Sequence, residues 1–257
     1  MSSLISSDKK RLSIAVVGLG YVGLPLAIEF GKYFDVVGFD INIEKINELK
    51  LKKDITRETS KSDFKKAKYL SFEKDLNNLA DCNIFIITVP TPVTKNNQPD
   101  LSFLQKACES ISTILKKKDI VIFESTVYPG ATEEFCIPII EKKSGLIFNE
   151  EFFCGYSPER INPGDKINTL TNVPKITSGS NSSVSKKVDR LYKKIITAGT
   201  YNVKSIRIAE AAKVIENTQR DLNIAFINEL SVLFDKLNLD TVEVLKAAAS
   251  KWNFIDF

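Results

Sequence analysis

The 257-residue chain contains no histidine. Histidine is the usual general base near neutral pH and the commonest metal ligand, so we exclude Ser–His and Cys–His nucleophile systems here and expect no metal site. Acid–base chemistry must therefore depend on lysine, aspartate, glutamate, cysteine, tyrosine or water. The four cysteines lack Cys-x-x-Cys spacing, which favours reduced thiols in a cytoplasmic protein.

Long apolar runs and a strong charge of one sign are also missing. The sequence has no run of about 18 apolar residues, and its polar first 11 residues resemble no secretory signal. The 36 basic and 32 acidic residues nearly balance. The lysines at 65–66 and 116–118 have no interleaved aromatic residues, which indicates solvated helix faces. We therefore expect neither a membrane nor a nucleic acid as a partner.

A glycine-rich turn near the N-terminus lies between two apolar runs. Residues 12–17 precede Gly18, Gly20 and Gly23 in Gly-x-Gly-x-x-Gly spacing, and the second run ends in Asp40. This order of strand, turn, helix, strand and acid is typical of a dinucleotide site, in which the helix N-terminus binds the phosphates. The acid can accept the ribose hydroxyls and repels a 2′-phosphate, so the pattern favours NAD over NADP.

Apolar runs then alternate with helical stretches through the first three quarters of the chain. We predict strands at 84–89, 120–123 and 152–156, and helices at 101–115 and 132–142. The alternation predicts an α/β fold with a Rossmann-like, doubly wound, mostly parallel sheet that is covered on both faces. Ligands bind beyond the carboxyl ends of such strands, where the Val-Pro-Thr-Pro, Ser-Thr-Val and Ser-Pro-Glu-Arg turns fall.

The pattern changes after these runs. Residues 206–237 contain no glycine or proline and many aliphatic side chains, which predicts a helix far longer than the average of about 11–12 residues. We expect Asp240 to cap a further helix that begins at Thr241 and runs to about Ser250. We place an NAD-binding domain at 1–200 and the start of a central helical domain at 201–257.

Two polar residues on this long helix are candidates for chemistry. Lys213 and Asn217 are i,i+4 neighbours among alanine and aliphatic residues that suggest considerable burial. A partly buried ammonium can hold a negative oxygen or lose its proton. The spacing alone, however, favours an ordinary polar helix face.

Three loop or strand-end residues leave similar alternatives open. Glu159 could act as a general base or orient a water, or it could form a simple loop pair with Arg160. Thr126 follows a strand and could cap the next helix. Cys154 lies between aromatic residues, and we interpret it as a small buried apolar residue rather than a nucleophile.

Four motifs together resemble the nucleotide-sugar 6-dehydrogenases of the UDP-glucose/GDP-mannose dehydrogenase superfamily. They are Gly-Leu-Gly-Tyr-Val-Gly-Leu-Pro at 18–25, Thr-Val-Pro-Thr-Pro at 88–92, Glu-Ser-Thr-Val-Tyr-Pro-Gly at 124–130, and the helix at 209–229. The resemblance spans essentially the whole chain. The segment at 155–165 is most similar to the branch that acts on UDP-N-acetylhexosamines, the Vi-antigen type.

The resemblance implies oxidation of a sugar C6 alcohol to a carboxylate with two NAD. A cysteine thiolate would form a thiohemiacetal and then a thioester that water hydrolyses. Lys213 and Asn217 would stabilise the developing oxyanion, because alcohol oxidation concentrates negative charge on oxygen. Thr126 and Glu159 would position the water or assist proton transfer. The implied substrate-binding residues for the UDP-sugar are Glu159, Arg160, Ile161, Asn162, Lys213 and Asn217.

The resemblance also implies how the cofactor binds. Thr91 and Thr126 would line the nicotinamide side, and Asp40 would bind the adenosine ribose. The implied cofactor-binding residues are Gly18, Gly20, Tyr21, Val22, Gly23, Asp40, Lys45, Pro90, Thr91 and Thr126.

One departure from the family pattern concerns the nucleophile. The family's cysteine lies in a Gly-Gly-His-Cys-type motif soon after a Lys-Trp-Asn-Phe-like segment, whereas here residues 251–254 carry that segment and only three residues follow. None of the four cysteines has the expected position. We therefore expect a truncated chain without the C-terminal nucleotide-sugar domain, inactive alone, that forms a homodimer through the long helix.

Three alternatives remain open. The first is a UDP-glucose 6-dehydrogenase, and the second is a non-catalytic NAD-binding or dimer-forming fragment. The third is a β-hydroxyacid dehydrogenase, which shares a Rossmann domain, a long helix and a helical Lys–Asn pair. The Val-Pro-Thr-Pro and Ser-Pro-Glu-Arg-Ile-Asn-Pro-Gly segments argue against the third. The hexosamine epimer and the polysaccharide pathway stay undetermined.

Overall fold

The computed structural model describes residues 12–162 and 164–255, and the chain divides into two units, Met1–Ala211 and Ala212–Phe257. The N-terminal segment 1–11, assessed above for a signal, and Pro163 of the Ser-Pro-Glu-Arg-Ile-Asn-Pro-Gly segment lie outside the described residues. The domain division at residue 200 stays a prediction.

An eight-stranded sheet forms the centre of the first unit. Its strands are β1 (Ser13–Val17), β2 (Asp35–Phe39), β3 (Leu70–Glu73), β4 (Ile84–Ile87), β5 (Ile120–Phe123), β6 (Phe153–Tyr156), β7 (Lys175–Gly179) and β8 (Thr200–Asn202). They lie in the order β3-β2-β1-β4-β5-β6-β7-β8. All neighbours are parallel except β6 and β7. The predicted doubly wound, mostly parallel sheet is confirmed.

Eight α-helices accompany the sheet in the described part of the chain. They are α1 (Gly23–Phe30), α2 (Ile43–Lys50), α3 (Lys61–Lys66), α4 (Ser102–Ser112), α5 (Ile137–Ser144), α6 (Ser182–Tyr192), α7 (Ile206–Lys236) and α8 (Thr241–Ala249). A 3₁₀ turn at Leu76–Leu79 and a π turn at Thr132–Cys136 complete the elements. None of these helices is long and apolar enough to cross a membrane.

The central strands β4 and β5 are apolar and buried at every position. Such runs are expected of strands that are covered on both faces. Strand β1 pairs with β2 on one side and β4 on the other, so the chain reverses its direction of winding there. This switch point opens a crevice at the carboxyl ends of β1 and β4, where the glycine turn lies.

Two predicted boundaries differ from the structure. The predicted strand at 84–89 ends at Ile87, before the proline-containing turn. The helix predicted at 132–142 is wrong as one element, because a π turn precedes α5. Pro138 has no N–H to donate to the preceding turn, which accounts for the irregular start.

The second unit contains the rest of α7 and α8. The 31 residues of α7 confirm the predicted long helix. Asp240 caps α8 as expected, since its Oδ1 accepts the N–H of Glu243 at 2.9 Å. None of its described residues, 212–255, is buried. Trp252, the only tryptophan of the chain, is 92% exposed.

Candidate functional site

The three glycines of the turn after β1 have different surroundings. Gly18 has φ +95°, and its N–H donates to the Phe39 carbonyl at 2.8 Å. A methyl group at Gly23 would overlap the Gly18 carbonyl oxygen and the Thr88 hydroxyl. A methyl group at Gly20 would instead meet no atom within 4 Å. Gly20 therefore borders open space in which a ligand can approach the backbone closely.

Helix α1 begins directly after this turn. Its N-cap residue is Val22, and the first turn has neither a side-chain cap nor an acidic residue. Tyr21 is exposed beside it. The N-terminal N–H groups and the positive end of the helix dipole thus have no protein anion as partner in this turn. This is the arrangement in which helix N-termini bind phosphate.

Asp40, at the end of β2, already has three hydrogen-bond donors. Its carboxylate accepts from the N–H of Leu19 and of Asn42, both at 2.9 Å, and from Lys45 Nζ at 2.8 Å. A carboxylate offers about four lone-pair positions, so one remains for a ligand hydroxyl. Asp40 therefore also joins the glycine turn to the end of β2, a contribution that its spacing in the sequence did not indicate.

A cavity of about 240 Å³ lies at the carboxyl ends of β1, β2 and β4. Its lining includes the expected Asp40, Lys45 and Pro90, together with Phe103 and Lys106 from α4. The last two were not predicted from the sequence, although both belong to the solvent side of an amphipathic helix beside the switch point. Mainly apolar walls with one carboxylate and two ammonium groups suit the adenosine part of a dinucleotide.

Side-chain hydrogen bonds link the loops at this edge of the sheet. Thr88 Oγ1 donates to the Gly18 carbonyl at 2.6 Å, and Ser125 Oγ donates to the Val89 carbonyl at 2.6 Å. The Tyr156 hydroxyl donates to the Ser125 carbonyl at 3.1 Å. The glycine, Val-Pro-Thr-Pro, Ser-Thr-Val and Ser-Pro-Glu-Arg turns are thereby held together, as their positions after the strands predict.

Two threonines occupy this edge. Thr91 Oγ1 is buried and has no hydrogen-bond partner among the described residues, so it can serve a ligand. Thr126 is exposed on the Ser-Thr-Val turn. The alternative that Thr126 caps the next helix is wrong, because Glu210 accepts the N–H groups of Gly130 at 2.6 Å and of Thr132 at 2.9 Å.

Glu159 is buried in the turn after β6. Its Oε1 accepts the N–H groups of Arg160 at 2.7 Å and of Ile161 at 2.8 Å, and its Oε2 lies 3.4 Å from Lys175 Nζ. The Arg160 guanidinium donates to the Pro174 carbonyl at 2.8 Å. The carboxylate thus closes its own turn and forms an ion pair with a lysine that sequence reasoning missed.

The remaining predicted substrate residues of this loop differ in their surroundings. Ile161 is partly buried and packs against the core, whereas Asn162 is exposed and its carbonyl accepts the Asp165 N–H at 3.1 Å. The Gly164 N–H donates to Glu58 Oε1 at 3.1 Å, which ties the loop to the segment before α3. The polar side chains of Arg160 and Asn162 are therefore accessible from solvent, whereas that of Glu159 is buried.

The predicted catalytic pair lies on α7 in the second unit. Lys213 and Asn217 are one turn apart and both are half-buried, while the intervening Ile215 is 65% exposed. Asn217 Oδ1 accepts a hydrogen bond from Arg220 at 2.7 Å. The neighbouring Ala211, Ala212 and Val214 are also half-buried, so the considerable burial expected for this pair is only partial.

Cys154 is fully buried in β6. Burial raises the pKa of its thiol well above the usual range, so the thiol stays protonated. The interpretation of Cys154 as a buried apolar residue is confirmed.

Comparison with known proteins gives the family. Residues 12–196 match the NAD binding domain of the UDP-glucose/GDP-mannose dehydrogenase family, and residues 207–257 match its central domain. The chain belongs to this family. The resemblance carried by the four sequence motifs is thereby confirmed, and NAD is the cofactor of the matched N-terminal domain.

Similar members of the family have known activities. The chain is 61% identical over 248 residues to UDP-N-acetyl-D-glucosamine 6-dehydrogenase of Pseudomonas aeruginosa. The aligned region covers 96% of this chain and 59% of that protein. It is 56% identical to the enzyme of the same name from Salmonella typhi, over 96% of this chain and 58% of that one. The chain therefore spans about three fifths of the length of these relatives.

A solved structure agrees with the fold. The UDP-D-ManNAc dehydrogenase of Pyrococcus horikoshii is 30% identical and superposes with a TM-score of 0.86, over 96% of this chain and 59% of that one. The Rossmann-like sheet followed by the long helix is thus the family arrangement.

Proposed function

We propose that this chain is the NAD-binding and central part of a nucleotide-sugar 6-dehydrogenase that oxidises the C6 alcohol of a UDP-N-acetylhexosamine to a carboxylate. The observation that carries the proposal is the cavity between Asp40 and α4, next to the open Gly20 turn. This arrangement suits a dinucleotide at the switch point of the sheet. The 61% identity to a UDP-N-acetyl-D-glucosamine 6-dehydrogenase supports the reaction and the substrate class.

The cofactor is held, in this proposal, by groups at the carboxyl ends of β1, β2 and β4. The N-terminus of α1 would bind the pyrophosphate beside Gly20, and Asp40 would accept a ribose hydroxyl. Thr91 and Thr126 would line the nicotinamide side. NAD, when bound, supplies the hydride acceptor for both oxidation steps.

Lys213 and Asn217 would stabilise the oxyanion that develops on the sugar oxygen. An ammonium and an amide donor at fixed positions on a helix stabilise such charge better than water does, because they need not reorganise. Glu159 would orient a water or accept its proton, with Thr126 as a second hydrogen-bonding group. The thiol nucleophile of the reaction corresponds to none of the four cysteines in this chain.

The UDP-glucose alternative has weaker support than the N-acetylhexosamine assignment. Two relatives, 61% and 56% identical, are UDP-N-acetyl-D-glucosamine 6-dehydrogenases by name, whereas a third, Protein CapL of Staphylococcus aureus at 51% identity, has a name that states no substrate. The four free and buried cysteines are consistent with a reducing compartment, so we include the cytoplasm in the proposal.

A homodimer through α7 is the proposed assembly. Ile215, Leu222 and Leu233 of α7 are exposed, and so is Leu237, which directly follows α7 and whose N–H still donates to the Leu233 carbonyl. Their spacings of 7, 11 and 4 place them within an arc of about 60° on a helix with 3.6 residues per turn. A continuous apolar stripe of this kind tends to associate with a second apolar surface.

Isothermal titration of the chain with NAD and with NADP tests the cofactor assignment. We expect NAD to bind more tightly, and Asp40→Asn to lower that preference, since the variant loses the charge that repels a 2′-phosphate while Lys45 remains. Equal binding of both cofactors by the unchanged chain would contradict the proposal.

Absorbance at 340 nm with NAD and UDP-N-acetylglucosamine tests turnover, and we expect no sustained NADH formation by these 257 residues alone.

A further inference from the structure

A buried ionic cluster lies behind the Ser-Pro-Glu-Arg turn. Lys175, the first residue of β7, donates from Nζ to Glu124 Oε2 at 2.8 Å and to the Pro158 carbonyl at 3.2 Å. The same ammonium lies 3.4 Å from Glu159 Oε2. The Tyr192 hydroxyl, at the end of α6, donates to the other oxygen of Glu124. Three strands and one helix therefore meet in one hydrogen-bonded group.

In this cluster a single ammonium contacts two carboxyl groups. Lys175 and Glu124 are each only 2% exposed. Burial raises the pKa of Glu124 despite the opposing effect of Lys175. For Lys175, burial alone would lower the pKa, but Glu124 and Glu159 together raise it. The lysine therefore stays charged, and its loss would leave two buried carboxylates facing each other.

Glu159 is restrained on both oxygens by different means. Its Oε1 is occupied by two backbone N–H groups, whereas the one donor to its Oε2 among the described residues is the Lys175 ammonium at 3.4 Å. A carboxylate oxygen has about two lone pairs, so this ammonium leaves one lone pair of Oε2 unused. Rotation of the side chain would break all three contacts, so the direction of Oε2 is fixed.

We propose that Lys175, anchored by Glu124, is a positioning residue that fixes the direction of the Glu159 carboxylate at the carboxyl ends of the strands. Its relevance to catalysis rests on the proposed function, whereas the restraint on Glu159 can be measured without turnover. The charged and titratable groups that face Glu159 are Lys175 from β7, Glu124 from the end of β5, Tyr192 from α6 and Arg160 from its own turn.

The test is amide hydrogen exchange followed by NMR at the N–H groups of Arg160 and Ile161, which donate to Glu159 Oε1. Glu159→Ala removes the acceptor and gives the exchange rates of the unrestrained turn. We expect Lys175→Met to speed exchange at both N–H groups by about tenfold, because the carboxylate is then no longer held from its Oε2 side. Glu124→Leu should also speed exchange, since the ammonium loses its anchor. Lys175→Arg, which keeps the charge, should restore most of the protection.

The matched control is Lys193→Met. Lys193 also forms an ion pair on the first unit, with Asp189 at 2.7 Å, but its side chain is exposed. We expect this variant to leave exchange at Arg160 and Ile161 unchanged. Unchanged exchange at both N–H groups in folded Lys175→Met overturns the inference. If Lys175→Met does not fold, unchanged exchange in Glu124→Leu overturns it. Loss of NAD binding in calorimetry, with the exchange differences intact, would contradict the proposed function and leave the positioning role established.

Discussion

The two units of the chain differ in where their apolar side chains lie. The first unit has a hydrophobic core, and every residue of β4 and β5 is buried. The second unit has no buried residue among those described, although α7 and α8 contain many aliphatic side chains. The difference shows that the first unit has its own hydrophobic driving force for folding, whereas the second exposes surface suited to association.

A matched pair of leucine substitutions gives the largest expected difference between the units. Leu26 in α1 is fully buried, whereas Leu222 in α7 is 63% exposed. We expect Leu26→Ala to lower the free energy of unfolding by about 2–5 kcal/mol. At protein concentrations too low for self-association, Leu222→Ala should change it by no more than about 0.5 kcal/mol. Urea unfolding followed by far-UV circular dichroism measures both, and equal losses would break the comparison.

A charged substitution on the apolar stripe of α7 tests whether the exposed aliphatic side chains of the second unit mediate self-association of the chain. Leu222→Asp should weaken self-association more than about tenfold, because a carboxylate would have to be buried without a partner. Ile224, also exposed, lies on the opposite side of the helix, and Ile224→Asp is the control. Sedimentation velocity over a concentration series gives the result. A chain that stays monomeric throughout would refute the dimer.

Gly20→Ala separates binding from stability within the first unit. A methyl group at Gly20 meets no protein atom, so we expect unchanged thermal unfolding. The same methyl group would occupy space that the pyrophosphate needs, so NAD affinity should fall by about tenfold, or about 1.4 kcal/mol. Gly23→Ala is the contrasting variant, and it should impair folding because of its overlap with Gly18 and Thr88. Calorimetric NAD affinity equal to that of the unchanged chain would count against the site.

The smallest expected effect concerns an aspartate in each unit. Burial would raise the pKa of Asp189, but its bonds to Lys193, Thr200 and Thr177 outweigh this and lower it. The stabilisation is therefore complete above the unfolded-state value of about 3.9 and is lost as the pH falls through the lower folded-state value. We expect Asp189→Asn to cost about 1 kcal/mol at pH 7 and less as the pH falls below about 4.

The matched change in the second unit is Asp240→Asn. Asparagine caps helices about as well as aspartate, so this variant should leave the free energy of unfolding unchanged at pH 7. Urea unfolding at several pH values distinguishes the two variants. A constant difference between Asp189→Asn and the unchanged chain at every pH would contradict the assigned hydrogen bonds.

Periodicity and glycine spacing predicted most of the sheet and the turn that follows β1. The strand at Ile120–Phe123 and the start of α7 were predicted at the right residues, because unbroken apolar runs and the absence of glycine or proline are local signals. The cap at Asp240 was also predicted correctly, because an aspartate directly before a helical stretch is a local signal. The π turn before α5 was missed, since it depends on how the chain accommodates Pro138 after the turn has already begun.

The partners of the site residues could not be predicted from spacing. Lys175 is 51 residues from Glu124 and 16 from Glu159, and only the pairing of β5, β6 and β7 brings them together. A charged residue at the start of the buried strand Lys-Ile-Thr-Ser-Gly was the one available signal. The role of Glu210 was likewise not predicted, because the two N–H groups that it accepts, those of Thr132 and Gly130, lie 78 and 80 residues away in the sequence.

The single tryptophan allows the second unit to be followed by intrinsic fluorescence. Trp252 is the only indole in the chain and is almost wholly in contact with solvent. Its fluorescence, excited where tyrosine does not absorb, therefore reports on the second unit without any label and without background from the first. Emission from a solvated indole moves to shorter wavelength and becomes protected from soluble quenchers when a surface covers it. Tryptophan fluorescence thus detects any partner that covers the surface next to the end of α8.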